Sequence, residues 1–186
     1  MENYIRVYPN AVPDLFCDKL ISKFEDNPEQ YYYQDRKNEN LDWKMSFTQV
    51  HLSDHDIWRG DVKYMMDIFR MYLEEYKEDC NIHKMQWPQE YNFETIRMKR
   101  YWPDGEDCFE SHVDVTDYEN ARRFLVFFLY LDDNKEGNTT FPQMDYSASC
   151  KKGSLLMFPP QWPWLHAGEK PIDKPKYIVG SYLHYV

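Results

Sequence analysis

In Ser111-His112-Val113-Asp114 an imidazole and a carboxylate stand two residues apart, so on a β-strand both side chains project from the same face. Together they can grip one cation. His166 ends the segment Trp162-Pro163-Trp164-Leu165-His166 and offers a third ligand from a distant part of the chain. Two histidines and one carboxylate on one face of an octahedral ion leave three positions open, the donor set of a non-haem Fe(II) centre that admits a co-substrate and dioxygen. A closed structural zinc site would want four ligands, preferably with cysteine, and Cys17, Cys80, Cys108 and Cys150 lie far apart with no C-x-x-C pair. Ten residues beyond His166, Lys176 opens a strand-like segment. Alternation puts Lys176, Ile178, Gly180 and Tyr182 on one face and sets an ammonium behind the metal. A buried lysine without a partner is costly. A dicarboxylate that chelates the ion at one end and meets Lys176 at the other satisfies both demands.

These residues need a scaffold that brings distant strands together, and the second half of the chain reads as one. Strand candidates run over 93–102, 108–115, 123–131, 138–141, 154–158, 162–166 and 176–185, with Gly, Pro, Asn and Asp at their joints. Such a series predicts a sandwich or jelly roll, two sheets around a cavity. The run Phe124 to Leu131 is the best candidate for a strand buried on both sides, although periodicity alone leaves a helix open there. Earlier, Phe16, Leu20, Ile21 and Phe24 fall at helical spacing over 13–25, with Pro13 where a first turn tolerates it. Val62, Met65, Met66, Phe69, Leu73 and Tyr76 predict a longer helix from 61 to about 79. Between the helices, 29–56 is polar and aromatic and reads as loop with a strand near 46–50.

The chain has 186 residues, enough for one domain, read as 1–186 with a helical N-terminal support over 1–90 and a jelly-roll core over 91–186. Hydrophobic residues make up 42%, which excludes intrinsic disorder. Neither a run of about 18 apolar residues nor a secretory signal is seen, so the reading is a soluble, cytoplasmic protein with no membrane partner and reduced thiols. With 32 acidic against 22 basic residues the net charge is -10. That balance disfavours nucleic acid and slightly favours a neutral or basic peptide as partner. Oligomeric state is not legible.

Taken in order, the motifs resemble a known family, the 2-oxoglutarate and Fe(II)-dependent dioxygenases, in its prolyl 4-hydroxylase-like branch. Arg100-Tyr101-Trp102-Pro103-Asp104-Gly105 leading to His112-Val113-Asp114 is similar to the family's tyrosine-containing strand, glycine turn and H-x-D. Glu136-Gly137-Asn138-Thr139-Thr140-Phe141-Pro142 resembles its G-G-x-T-x-F-P hairpin, and Gly153 to Phe158 with His166 and Lys176 resembles its closing segment. Ile5-Arg6-Val7-Tyr8 and the helix after Pro13 look like its N-terminal strand and helix. Three departures stand out: Phe109 where tyrosine is frequent, Asn138 for an acidic residue, and Tyr182 for tryptophan.

The resemblance implies a double-stranded β-helix core of the jelly-roll, cupin-like kind. It implies Fe(II) held by His112, Asp114 and His166, and 2-oxoglutarate and O2 as co-substrates, with ascorbate among the cofactors. Lys176 is expected to hold the far carboxylate of 2-oxoglutarate. A lysine lacks arginine's fork, so a hydroxyl should assist, Tyr101 first and Thr139 in reserve. The implied reaction is hydroxylation of an unactivated carbon with release of succinate and carbon dioxide, peptidyl proline being the family-based substrate. A free amino acid, another protein side chain or a nucleobase fits the same mechanism. A zinc hydrolase on a similar barrel, which has no use for Lys176, and a non-catalytic binding module are the competing classes.

Overall fold

Alternating apolar residues in the second half of the chain build a sheet that is covered on one face and curls around a cavity on the other. The fold is described by a computed structural model over residues 4–41, 43–103, 105 and 107–186; Asp104 of the expected glycine turn and the first three residues of the N-terminus lie outside the described residues. In chain order the elements are β1 (Arg6–Tyr8), α1 (Asp14–Glu25), β2 (Tyr32–Asn38), β3 (Trp43–His51), α2 (Arg59–Asp79), β4 (Tyr91–Phe93) and β5 (Arg97–Tyr101). They continue as β6 (Cys108–His112), β7 (Arg123–Tyr130), β8 (Thr139–Phe141), β9 (Tyr146–Ala148), β10 (Leu155–Phe158), β11 (His166–Gly168) and β12 (Lys176–Tyr185).

The strands form one antiparallel, nearly closed sheet in the order β1-β10-β7-β12-β5-β3-β6-β11-β8-β9, with β2 beside β3 and β4 beside β12. The fold class is therefore mainly β with flanking helices, as the pattern and the resemblance imply. The two expected sheets are joined into a single curled one through β3 and β6, where Met45 faces Phe109 and Ser46 faces Cys108.

The two-residue period of β7 and β12 separates two cores. Leu125, Phe127 and Leu129 of β7 and Tyr177, Val179 and Leu183 of β12 lie in one cluster with Leu20 and Phe24 of α1 and Met65, Phe69 and Leu73 of α2. Phe69 stacks on Phe127 with ring centroids 5.0 Å apart. Val126, Phe128 and Tyr130 of β7 and Ile178 and Tyr182 of β12 point the other way, into the cavity with Phe47, Tyr101, Phe141 and Phe158. Burial on both faces is why the Phe124–Leu131 run carries almost no polar residue. Gly180 sits in β12 where a Cβ would meet the Phe128 ring at 2.9 Å, so the close approach of those two strands requires a residue without a side chain.

Three expectations change. The 29–56 stretch is a hairpin: β2 pairs with β3 from Tyr32 opposite Gln49 to Asn38 opposite Trp43. β2 is exposed along nearly its whole length, so it lacks the apolar alternation by which a half-buried strand is recognised. The strand expected over 162–166 begins only at His166. Pro159, Pro160 and Pro163 cannot donate to a ladder, and Trp164 N–H closes a turn on the Gln161 carbonyl. Finally, 93–102 is broken into β4 and β5 at Glu94–Ile96, where Glu94 N–H donates to the Tyr182 carbonyl and Ile96 N–H to the Ser53 hydroxyl.

Candidate metal centre and co-substrate chamber

β6 and β11 are neighbours, and their register sets His112 directly opposite His166. β6 ends at His112, and the chain then turns so that Asp114 N–H donates to the Pro160 carbonyl. This brings the Asp114 carboxylate between the two rings: Oδ1 lies 3.6 Å from His112 Nε2 and Oδ2 lies 3.5 Å from His166 Nε2. One ligand atom from each of the three residues falls within 4.8 Å of the others. Each ring presents Nδ1 to a main-chain carbonyl, that of Glu110 for His112 at 2.7 Å and that of Trp164 for His166 at 3.0 Å. With Nδ1–H donating there, the Nε2 lone pairs turn inward. His112 Nε2, His166 Nε2 and Asp114 Oδ2 are buried and have no hydrogen-bond partner. Buried polar atoms are rarely left so, and three that converge are the donor set a metal ion would satisfy. An ion suits these residues: two neutral imidazoles, one carboxylate, and room beside them.

Electrostatics prepare the same state. Burial draws the His166 imidazole down to about 4, against the opposing pull of Asp114, so the ring is neutral and able to ligate. Burial by itself would raise the Asp114 carboxyl, but the two imidazoles and the Tyr182 hydroxyl hold it well below the usual carboxylate range. Tyr182 donates to Asp114 Oδ1 at 2.8 Å, and burial pushes its own phenol far up, so it stays a donor. Tyrosine at this departure from the family pattern thus still gives the carboxylate a hydrogen bond. Arg123 braces the arrangement: its guanidinium lies 4.2 Å from the Tyr182 ring centroid, grips Glu94 at 2.8 and 2.9 Å, and donates to the Asp114 carbonyl. Phe109, the second departure, stacks flat on His112 with centroids 3.5 Å apart. Asn138, the third, accepts the Cys150 N–H through its side chain.

Behind the histidines lies a narrow chamber lined by Lys176, Tyr101, Thr139, Lys99, Gly168 and the two imidazoles, among others. Five of the six residues singled out from the sequence therefore line one volume, and the sixth, Asp114, lines the groove in front of it. Lys176 is 2% exposed and takes part in no ion pair among the described residues. Its ammonium lies 5.6 Å from the Tyr101 ring and 5.9 Å from the Tyr130 ring. Burial pulls its pKa down, with only Cys150 and Glu169 opposing. Gly137, at φ +85°, makes room for its stem, since a Cβ there would press on Lys176 Cδ at 3.2 Å. Thr139 accepts a hydrogen bond from the Tyr130 hydroxyl at 2.7 Å, which leaves its own hydroxyl hydrogen free to donate. Tyr101 is 3% exposed, and burial keeps its phenol protonated.

Lys99, Tyr130 and Arg123 are the participants that sequence reasoning missed. Lys99 lies over the Phe47 and Phe109 rings at 4.5 and 5.3 Å, and burial draws its ammonium down to about 8. Its place two residues before Tyr101 on the same strand was the available signal. In front of the ligands an open groove of about 590 Å3 leads outward to Arg36 and Asn38. Trp162 is 79% exposed and Trp164 packs edge-on against Tyr4. Tyr31 stacks on Phe24, while the adjacent Tyr32 and Tyr33 face solvent. Cys17, Cys108 and Cys150 are free thiols, and no helix among the described residues is long and apolar enough to cross a membrane.

Comparison with known proteins gives the geometry a context. Residues 96–184 match the family model described as the 2OG-Fe(II) oxygenase superfamily. Among solved structures, the viral collagen prolyl hydroxylase from Paramecium bursaria Chlorella virus-1, solved as its 2OG complex, is similar at 20% identity and TM-score 0.67 over 98% of this chain and 96% of that one. A Trichoplax adhaerens prolyl hydroxylase, solved with a peptide fragment of the hypoxia inducible factor oxygen degradation domain, is similar at 11% identity and TM-score 0.73, covering 98% and 84%. A Pseudomonas putida prolyl-4-hydroxylase is similar at 10% identity and TM-score 0.62, covering 98% and 93%. At these identities the structural likeness concerns the fold. A search of curated proteins finds no match. The matched segment, which contains His112, Asp114, His166 and Lys176, is that of the 2OG-Fe(II) oxygenase superfamily, and the chain as a whole has a prolyl 4-hydroxylase-like fold.

Proposed function

We propose that this chain is an Fe(II)- and 2-oxoglutarate-dependent hydroxylase of a peptidyl substrate, with proline the target residue, and that residues 1–186 act as one catalytic domain. The observation that carries the reading is the convergence of three buried, unpartnered donor atoms, on His112, Asp114 and His166, beside the buried Lys176 ammonium, which forms no ion pair among the described residues. A hydrolase built on the same three ligands would have no use for Lys176.

Bound Fe(II) with 2-oxoglutarate and O2 would supply oxidative decarboxylation to succinate and carbon dioxide, one oxygen atom entering succinate and the other hydroxylating an unactivated carbon. His112, Asp114 and His166 hold the ion and leave one side of it free. Lys176 receives the far carboxylate of the co-substrate, and the Tyr101 and Thr139 hydroxyls orient it. Phe109 keeps the His112 ring in place, and Tyr182 fixes one oxygen of Asp114 so that the other faces the ion. Peptidyl proline is supported by the names of the similar structures, all three prolyl hydroxylases, one of them solved with a peptide.

The test is incubation with Fe(II), 2-oxoglutarate, oxygen and a library of proline-containing peptides, read by mass spectrometry for succinate and for peptides that gain one oxygen atom. Succinate together with hydroxyproline supports the full reading. Succinate with oxygen on another residue moves the substrate, and absence of succinate in every mixture contradicts the activity.

A further inference from the structure

Resting on that functional reading, we propose that the open groove in front of the metal ligands binds an acidic peptide, whose carboxylates are met by Arg36, Arg97 and Lys99. The whole-chain balance points the other way, toward a neutral or basic partner, but the groove has the opposite sign to the chain. Its lining includes Arg36, Arg97, Lys99 and Arg123, and its one carboxylate is Asp114, in a protein of net charge -10.

Of these cations only Arg123 is answered, by the two-pronged contact with Glu94. Arg97 reaches that same, already committed carboxylate at 3.7 Å. Lys99 and Arg36 form no ion pair among the described residues. Nor does the reaction centre itself answer them: the charge of the ion falls to Asp114 and the co-substrate, and the far end of the co-substrate falls to Lys176. Burial lowers the Lys99 ammonium and Asp114 opposes that, while Arg97 and Arg123 add to the lowering, so like charges crowd this wall of the groove.

Placement favours an extended peptide over a small acid. Lys99 and Arg97 are alternate residues of β5, opposite Gln49 and His51 of β3. Arg36 stands on the next strand, β2, opposite Met45 of β3. Arg36 and Lys99 thus lie two strand spacings apart, roughly 10 Å, and are offset along β3 from Met45 to Gln49, roughly 13 Å more, a separation of roughly 16 Å or about five extended residues. One carboxylate cannot bridge that distance. A long phosphate polymer would carry its excess charge onto an acidic surface.

The experiment uses the full chain and three fluorescent peptides identical except that the residues flanking one proline are acidic, neutral or basic. Binding is followed by anisotropy, with and without Mn(II) and 2-oxoglutarate. The acidic peptide should bind about tenfold more tightly than the neutral one, the size expected of two or three partly exposed ion pairs, and the basic one more weakly still. The preference should shrink in about 0.5 M salt. In an Arg36→Gln/Arg97→Gln double variant it should fall to about twofold, with Mn(II) binding unchanged. Equal affinities, a reversed order, or no binding by any peptide would overturn the assignment. Competition by free glutamate as effective as the peptide would replace the peptide by a small acid, and equal competition by a single-stranded oligonucleotide would replace it by a nucleic acid; both overturn it. If selective acidic binding persists while no Fe(II)–2-oxoglutarate complex forms, the oxygenase reading fails and the groove assignment stands.

Discussion

Lys176→Met separates what the buried ammonium costs from what it binds. The side chain is 2% exposed and faces the rings of Tyr101 and Tyr130 instead of a carboxylate. A buried ion carries an effective desolvation penalty of several kcal/mol, and two ring contacts at this range return about 0.5–2 kcal/mol. Methionine of similar length fills the same space without the charge. The ligand-free variant should therefore be more stable by about 1–2 kcal/mol, a rise in Tm of roughly 2–8 °C for a domain of this size. Its pH dependence gives the same sign. Because burial lowers the folded-state pKa, the unfolded chain binds more protons between that value and the ordinary 10.5. The stability of the parent then climbs with pH across this window, and the variant loses that slope. Binding goes the other way. Removing one member of a buried charge pair costs about 2–5 kcal/mol, or about 30- to 5,000-fold in affinity for 2-oxoglutarate. Thermal melts with Mn(II) present read both effects. At a co-substrate concentration near 100 times its Kd the parent gains about 2.7 kcal/mol, and the variant should gain at most about 0.9 kcal/mol. A lower Tm for the ligand-free variant would refute the uncompensated ammonium, and an equal co-substrate shift would remove Lys176 from the site.

Asp114→Ala and His112→Ala should each abolish metal-dependent succinate formation, since two remaining ligands do not retain an ion in an open site; full turnover by either counts against the triad. Tyr182→Phe should weaken metal binding by about 10- to 100-fold, as loss of a hydrogen bond to a ligating group does, measured by Mn(II) titration; unchanged affinity would make that hydroxyl irrelevant to the site. Gly180→Ala forces a methyl to 2.9 Å from the Phe128 ring and should destabilise by about 1–3 kcal/mol; an unchanged melting curve would show that β7 and β12 can part at no cost.

The parts of the site that could be read from the sequence are those fixed by short spacings on regular strands. His112 and Asp114 are two residues apart near the end of β6, and Lys176 and Tyr182 share the parity of β12, so alternation alone gives their common direction. The apolar run that became β7 was legible because it is covered by α2 on one face and lines the cavity on the other. What sequence could not supply were contacts across the sheet. Arg123 acts through Glu94 and Tyr182, Tyr130 acts through Thr139, and Phe109 acts by lying on His112; none of these has a spacing signal. Lys99 was passed over because a lysine at an alternate strand position reads as solvated, although it shares the parity of Tyr101 on β5. The β2–β3 hairpin was missed because an edge strand exposed on both faces has no apolar period, yet it supplies Arg36 and the outer wall of the groove. Charge shows the same division: the chain total of -10 says nothing about a groove whose cations come from three different strands.

The most direct test is an anaerobic titration of the purified chain with Fe(II) and 2-oxoglutarate, followed in the visible range for the charge-transfer absorption of an iron–keto-acid chelate. The account predicts a band that needs both additions, reaches one iron per chain, and disappears in Asp114→Ala. No band at saturating concentrations, or an identical band in that variant, would contradict it.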